Sequence, residues 1–290
     1  RCNEFSAKEL VKATNNFDQL VFEEDTKTYQ GTLKKHPILV KFCRDHGPFP
    51  SISDPINDIV FTSQMSHHKN VLKLIGCCQE FKVPALVYEC AGTKRLSDLL
   101  YVTKNGGSVG HKHDDGMSLS WKSRIRIAKD IANTVSYLHT AFPTPIIFRN
   151  LRPETIIIDQ FGVAKLFDFS LSTTLPPGES QMVDCVIGIN ITLAPEYVAA
   201  GIVSDKCDVH NFGMLLCILL TGRRAISRHN KFSCLKDLVR DCVEKHQLKK
   251  IVDPIILGEK GGVEQEQQLQ AFVAIALRCL EREREDRPEM

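Results

Sequence analysis

The chain has 290 residues, of which 43% are hydrophobic and 25% are charged, and its formal net charge is +2. This composition is typical of a soluble globular protein. So small a charge excludes strong electrostatic attraction to nucleic acid or to a membrane surface. No apolar run approaches the roughly 20 residues that a membrane-spanning helix needs. The eleven cysteines include no Cys-x-x-Cys pair, so we expect reduced, mostly buried thiols and no disulfide or zinc framework.

The first predicted element is a short helix, and we assign residues 1–18 to an N-terminal helical extension. Ser6-Ala7-Lys8-Glu9 forms a capping box. In this motif the serine oxygen accepts a hydrogen bond from the Glu9 amide, and the Glu9 carboxylate accepts one from the backbone of Ser6. Leu10 and Val11 then begin the apolar stripe of the helix.

A predicted hairpin follows from Leu20 to Leu33, and its turn contains no glycine. Glu23, Glu24 and Asp25 occupy the turn instead. Side chains at such a turn keep backbone amides away from a phosphate group, and three adjacent carboxylates repel one. The hairpin is therefore unsuited to phosphate binding.

A lysine on the next strand has a candidate partner on the helix that follows. The strand Ile38–Phe42 carries Lys41, and a helix begins at Asp54-Pro55, with aspartate as its cap and proline in its first turn. Asp58 lies on this helix. Two interpretations of Asp58 remain open, a short and strained ion pair with Lys41 or a solvated helix residue.

The middle of the chain contains a strand, a long polar loop and a long helix. The apolar strand Ala85–Cys90 ends at a glycine turn, and the polar loop spans residues 103–117. The run His111–Asp115 carries side chains that can ligate metals, but we predict a solvated loop and no metal site. Ser120–His139 is the clearest helix, because its apolar residues recur near the 3.6-residue spacing.

Four motifs follow this helix. A polar loop lies between two apolar stretches within Ile146–Asp159. The remaining motifs are Phe167-Asp168-Phe169-Ser170, Ala194-Pro195-Glu196 and a helix that opens at Asp208, and Arg287 stands near the end of the chain.

Taken in order, these motifs resemble those of protein kinases, including the catalytic loop H-R-D-L-x-x-x-N, the D-F-G motif and the A-P-E motif. The resemblance implies an α+β, bilobal protein-kinase-like fold. We expect a small β-rich N-lobe at residues 19–91 and a larger α-helical C-lobe at residues 92–290, truncated at its C-terminus.

The resemblance also shows where the catalytic residues of a kinase are replaced. Phe148 stands in place of the histidine of the catalytic loop, Asn150 in place of the catalytic aspartate, and Thr155 in place of the metal-binding asparagine. Asn150 cannot accept a proton as a carboxylate does, and losing a general base costs roughly 10²–10⁴ in rate. We therefore predict no catalytic residues and no meaningful phosphoryl transfer.

Three residues correspond to the nucleotide-binding set of a kinase. The resemblance implies that Lys41 stands for the phosphate-binding lysine, Asp58 for its helix partner and Asp168 for the metal-binding aspartate. Ser170 replaces the glycine of D-F-G, which removes conformational freedom from that turn. We regard these positions as vestigial and predict that no cofactor is required, although weak ATP binding is allowed.

The residues that support a kinase fold are kept. The resemblance implies that Glu196 and Arg287 form a buried ion pair and that Asp208 opens the central helix of the C-lobe. Arg149 is a candidate anchor for the activation segment, residues 170–193. Within this segment, Ser172, Thr173 and Thr174 are candidate modification or recognition sites, because added charge there would change docking.

Three phrases narrow the resemblance. They are Phe-Ser-x-x-Glu-Leu-x-x-Ala-Thr-Asn-Asn-Phe at residues 5–17, Leu-Ile-Gly-Cys-Cys-Gln-Glu-Phe at 74–81 and Tyr-Leu-His-Thr-Ala-Phe-Pro-Thr-Pro-Ile-Ile at 137–147. They resemble the ZRK group of plant receptor-like cytoplasmic kinases, which consists largely of pseudokinases; Leu-Gly-Cys-Cys motifs also occur in wall-associated kinases.

The ZRK resemblance implies an adaptor in plant innate immunity. Its expected partners are the leucine-rich repeats of a coiled-coil NLR immune receptor, together with another receptor-like cytoplasmic kinase or a pathogen effector. No nucleic acid and no direct membrane span are expected, and the implied location is cytoplasmic, with any plasma-membrane association made through partners. The alternatives are a weakly active Ser/Thr kinase and a non-hydrolysing ATP-binding switch.

Overall fold

Six strands build the amino-terminal part of the fold: β1 (Asn3–Glu4), β2 (Leu20–Glu23), β3 (Thr26–Leu33), β4 (His36–Cys43), β5 (Leu74–Cys78) and β6 (Ala85–Glu89). They form one sheet in the order β1-β5-β6-β4-β3-β2, in which β1 runs parallel to β5 and the other neighbours are antiparallel. The computed structural model describes residues 3–23, 26–43, 54–101, 119–188, 192–226, 234–259 and 261–290.

The N-terminal segment is built into this sheet. Besides the predicted helix, α1 (Ala7–Ala13), it contributes the edge strand β1. The capping box is present, and Leu10 is fully buried against the outer face of the sheet. Gly76 on β5 makes room for the segment, since a Cβ atom there would overlap the carbonyl oxygen of Asn3. A two-residue strand has no periodicity, so the sequence predicted only the helix.

One helix, α2 (Pro55–Gln64), packs against the sheet, and the others form the carboxyl-terminal part: α3 (Leu96–Leu100), α4 (Trp121–Thr140), α5 (Pro195–Ala200), α6 (Asp205–Thr221), α7 (Leu235–Glu244), α8 (Pro254–Leu257) and α9 (Gly262–Cys279). Short strands connect them: β7 (Lys94–Arg95), β8 (Ile146–Ile147), β9 (Ile156–Ile158), β10 (Ala164–Leu166), β11 (Thr173–Thr174), β12 (Met182–Val183) and β13 (Ile202–Val203). They pair as β10-β9-β7, β11-β8 and β12-β13.

Helix α6 lies at the centre of the carboxyl-terminal part. Its sequence is apolar on nearly all sides, and almost all of its residues are buried; a helix of this kind belongs in a core. It packs against α4, α7 and α9. The predicted bilobal, protein-kinase-like fold is thus confirmed. Within the described ranges, none of the helices has the length and apolar character needed to cross a bilayer.

Candidate functional site

Three charged side chains from the two lobes meet at the junction between them. Lys41 of β4 places its Nζ atom 2.6 Å from Oδ2 of Asp58 on α2 and 2.6 Å from Oδ1 of Asp168, which follows β10. The side chains of Lys41 and Asp58 are fully buried, and that of Asp168 is 10% exposed. The expectation of a solvated Asp58 is wrong, because α2 lies close enough to β4 for the shorter aspartate side chain to reach the lysine.

Oδ1 of each carboxylate also accepts hydrogen bonds from neighbouring protein groups. Oδ1 of Asp58 accepts from the Thr62 hydroxyl at 3.0 Å and from the Phe169 amide at 3.0 Å. Oδ1 of Asp168 accepts from the Ser170 amide at 3.2 Å and from the Ser170 hydroxyl at 2.5 Å. The serine that replaces the D-F-G glycine therefore binds the very oxygen that faces Lys41.

Burial and ion pairing shift the pKa values of Lys41 and Asp168 in opposite directions. Burial by itself would raise the pKa of Asp168, but the Lys41 ammonium and the hydrogen bonds from Ser170 outweigh it and hold that pKa below its usual value. Burial would likewise lower the pKa of Lys41, and the charges of Asp168 and Asp58 raise it instead. Lys41 and Asp168 are therefore both charged at neutral pH.

Aromatic side chains pack together next to this charged cluster, at the junction between the lobes. Phe22 of β2 and Phe167 are buried, with ring centroids 6.4 Å apart, and Tyr88 contacts Phe167 at 5.2 Å. The Arg95 guanidinium lies over the Phe22 ring, 4.9 Å from its centroid. These rings belong to a core cluster that joins both lobes, since it also contains Leu74 and residues of β4, β6 and β9.

The cavity that remains beside Asp168 has a volume of about 20 Å³ and is lined by Phe22, Thr26, Arg95, Arg152, Glu154, Thr155, Phe167 and Asp168. A cavity of this size holds about one water molecule, whereas pockets for small ligands measure roughly 300–1,000 Å³. Among the described residues, the space beside Asp168 is therefore small, and Oδ1 of this carboxylate is already bound by Lys41 and Ser170.

The degenerate catalytic loop is held by packing and by Asp208. Phe148 is fully buried and contacts Phe169 edge-on, with ring centroids 4.9 Å apart. The backbone amides of Phe148 and Arg149 each donate to the Asp208 carboxylate at 2.8 Å, and His139 lies 3.0 Å from the same group. Phe148 thus packs into the core, and Asp208 fixes the backbone of the loop.

Asn150 and Thr155 also make local contacts within this loop. The Asn150 side-chain oxygen accepts from Arg152 Nε at 3.1 Å. The buried Thr155 hydroxyl donates to the Asn150 carbonyl at 2.7 Å and lies 3.0 Å from the Arg152 carbonyl. Neither side chain has a carboxylate to accept a proton, and both stabilise the turn.

The structure separates the three candidate modification sites. Ser172 is buried, 1% exposed, and its hydroxyl donates to the Phe148 carbonyl at 3.3 Å. In this conformation a modifying enzyme cannot reach the Ser172 hydroxyl, which disfavours Ser172 among the three candidate sites. Thr173 is half-buried and Thr174 exposed, on strand β11, which pairs with β8.

The predicted Glu196–Arg287 ion pair is present and bidentate, with N–O distances of 2.7 and 2.8 Å. Arg149 contacts the activation segment through Asp184.

In the hairpin turn that lacks glycine, Glu23 lies 3.3 Å from Lys27, and both side chains are half exposed. Glu24 and Asp25, like His111–Asp115, lie outside the described residues.

The geometry is that of a protein kinase fold, and the chain matches the family described as protein tyrosine and serine/threonine kinase over residues 19–290. The chain belongs to this family.

Three relatives from Arabidopsis thaliana cover almost the whole chain. It is 37% identical to the non-functional pseudokinase ZED1, over 99% of this chain and 84% of that protein. It is 36% identical to the serine/threonine-protein kinase ZRK1, over 99% of this chain and 82% of that protein. It is 34% identical to the non-functional pseudokinase ZRK2, over 99% of this chain and 79% of that protein. These similarities place the chain in the ZRK group.

Proposed function

We propose that this protein is a pseudokinase that acts through protein–protein contacts. The observation that carries the proposal is the junction between the lobes, where Lys41 pairs with both Asp58 and Asp168 and the rings of Phe22 and Phe167 pack together. Asn150 provides no general base. The fold-supporting residues Glu196, Asp208 and Arg287 keep their contacts, which supports a retained scaffold without retained chemistry.

The names of the relatives leave activity open, since two are called non-functional pseudokinases and one a serine/threonine-protein kinase. We expect purified protein to incorporate no phosphate from radiolabelled ATP with Mg²⁺ or Mn²⁺, and to show no rise in Tm when ATP and metal are added. The matched control is Asp168→Asn, which removes the metal-binding charge and keeps the side-chain shape. Label above that control would support a weakly active kinase. A Tm rise without label would support a non-hydrolysing ATP-binding switch.

The finer proposal is an adaptor in plant innate immunity, which binds the leucine-rich repeats of a coiled-coil NLR receptor. In this proposal the protein reports the action of a pathogen effector, either on itself or on another receptor-like cytoplasmic kinase, and it works in the cytoplasm. Similarity to the ZRK group supports it. So does a cavity of about 510 Å³ on the C-lobe side of the catalytic loop, with an apolar lining that includes Leu151, Leu171, Leu193, Met214, Leu215 and Ile218.

Affinity capture from plant tissue tests this adaptor proposal. We expect the wild-type protein and Asp168→Asn to recover the same NLR receptor equally, with or without added ATP, because docking uses no phosphoryl transfer. Thr173→Ala/Thr174→Ala is expected to weaken recovery of a partner that binds the activation segment. Recovery that requires ATP or Asp168, or the absence of any NLR receptor from the captured proteins, would contradict the proposal.

A further inference from the structure

Arg149 lies in the catalytic loop with a backbone conformation that aims its side chain at the activation segment. Its φ angle is +65°, in the left-handed region that non-glycine residues adopt rarely. The Asp208 carboxylate holds this conformation by accepting from the Arg149 amide at 2.8 Å. The side chain is only 8% exposed, so its permanent positive charge needs an anion nearby.

The activation segment itself supplies that anion. Arg149 Nη1 lies 2.6 Å from Asp184 Oδ2, and Nη2 donates to the Cys185 carbonyl at 3.2 Å and to the Tyr197 hydroxyl at 2.5 Å. The guanidinium also lies over the Tyr197 ring, 5.3 Å from its centroid. Among the described residues, Asp184 is the one carboxylate that forms an ion pair with Arg149.

These contacts fix a continuous stretch of the segment. The Tyr197 hydroxyl donates to the Cys185 carbonyl at 2.5 Å and accepts from the Ile187 amide at 2.9 Å. The Asp184 amide donates to the Gly201 carbonyl at 2.9 Å, next to the pairing of β12 with β13. Residues 182–188 are thereby attached to α5 and β13 on one side and to the catalytic loop on the other.

In kinases that are switched by phosphorylation, arginine–phosphate pairs order the activation segment. A carboxylate pairs with a guanidinium through charge-assisted hydrogen bonds, as a phosphate does; here Oδ2 of Asp184 binds Arg149 while Oδ1 accepts from the Cys185 amide at 2.7 Å. We propose that Asp184 is a built-in substitute for a phosphorylated residue: it occupies the anion site of Arg149 and orders residues 182–188 without phosphorylation. The surface that this segment presents is then permanently available to a protein partner.

The proposal is tested on protein that carries no phosphate, as verified by intact mass. Hydrogen exchange of peptides covering residues 182–188 is compared between wild type, Asp184→Asn and the matched control Glu179→Gln, an exposed acid on the same segment. A hydrogen bond to a charged group contributes about 1.5–3 kcal/mol, so we expect Asp184→Asn to raise exchange roughly tenfold or more. Glu179→Gln should match wild type, and Asp184→Glu should restore part of the protection.

Exchange of peptides from α6 shows whether each variant is folded, since almost all residues of this helix are buried in the core of the C-lobe. The proposal is overturned if phosphate-free wild type already exchanges as fast as Asp184→Asn, or if Asp184→Asn is protected as well as wild type. It is also overturned if protection in residues 182–188 appears only after the protein has been phosphorylated.

Discussion

Replacing Lys41 with Met is expected to lower the free energy of unfolding by about 3–5 kcal/mol, the cost typical of removing one partner from a buried ion pair. The variant leaves the carboxylates of Asp58 and Asp168 facing each other in the core without their cation. In a working kinase the equivalent lysine binds phosphates. Here it contacts only protein groups, so its removal is expected to affect stability. Urea denaturation at pH 7 measures the difference.

The matched control is Lys27→Met. Lys27 pairs with Glu23 at 3.3 Å, and both side chains are about half exposed, so the expected change is within about 1 kcal/mol.

A second comparison uses pH. Because the pKa of Asp168 is lowered in the folded protein, its contribution is present above its unfolded pKa of about 3.9 and is lost as the pH falls through the folded value. The difference in the free energy of unfolding between wild type and Lys41→Met should therefore become smaller at acidic pH.

A third variant separates charge from packing. Lys41→Met combined with Asp58→Leu and Asp168→Asn removes the whole ion network, and we expect it to recover much of the stability that Lys41→Met loses. A Lys41→Met protein within 1 kcal/mol of wild type at pH 7 would contradict the described cluster. That result would mean that water reaches the two aspartates.

The sequence predicted which residues form the Lys41–Asp58–Asp168 cluster better than it predicted their contacts. Lys41 and Asp168 were recognised from the order and spacing of motifs, which do not depend on chemistry being kept. The sequence could not decide whether Asp58 pairs with Lys41 or faces solvent. An aspartate side chain is one methylene group shorter than glutamate, and the sequence does not give the position of α2 to within that distance. Ser170 was recognised as a loss of flexibility, but its hydrogen bonds to Asp168 depend on a backbone turn at φ +70°.

Two features of the site were not predicted, because each joins distant parts of the chain. The rings of Phe22 and Phe167 pack together between the lobes, and the aromatic side chain beside the acidic turn was the one local signal for this contact. The pairing of Arg149 with Asp184 depends on the left-handed backbone that Asp208 imposes. A lone aspartate in a polar segment gives no sequence signal for such a role.

The burial of Ser172 was not predicted for a related reason. A run of hydroxyl residues in an activation segment gave no signal for strand β11, which starts at Thr173 and pairs with the buried strand β8. Ser172, just before this strand, is buried with its hydroxyl bonded to the Phe148 carbonyl, whereas Thr174 at the end of the strand is exposed. Polar composition predicts a loop, but the exposure of each residue is decided by the partner strand.

Replacing Arg287 with Met is expected to cost about 3–5 kcal/mol as well, since it leaves a largely buried carboxylate without its cation. Arg287 binds Glu196 through two hydrogen bonds and is fully buried. It also donates to the backbone carbonyls of Glu281, Arg282 and Lys206, so the variant leaves three further acceptors unpaired. The pair joins α5, at the end of the activation segment, to the C-terminal end of the described chain.

The backbone contacts of Arg287 predict an order among variants. In Glu196→Gln, Arg287 still donates to its three backbone carbonyls, and only the carboxylate charge is lost. This variant should therefore lower the free energy of unfolding less than Arg287→Met does. The double variant Arg287→Met/Glu196→Leu removes both charges and should be more stable than Arg287→Met alone. Lys245→Met, which breaks the exposed pair with Asp241, should leave the free energy of unfolding close to that of wild type. Equal losses for Glu196→Gln and Arg287→Met in urea denaturation would show that the ion pair, and not the carbonyl contacts, accounts for the whole effect.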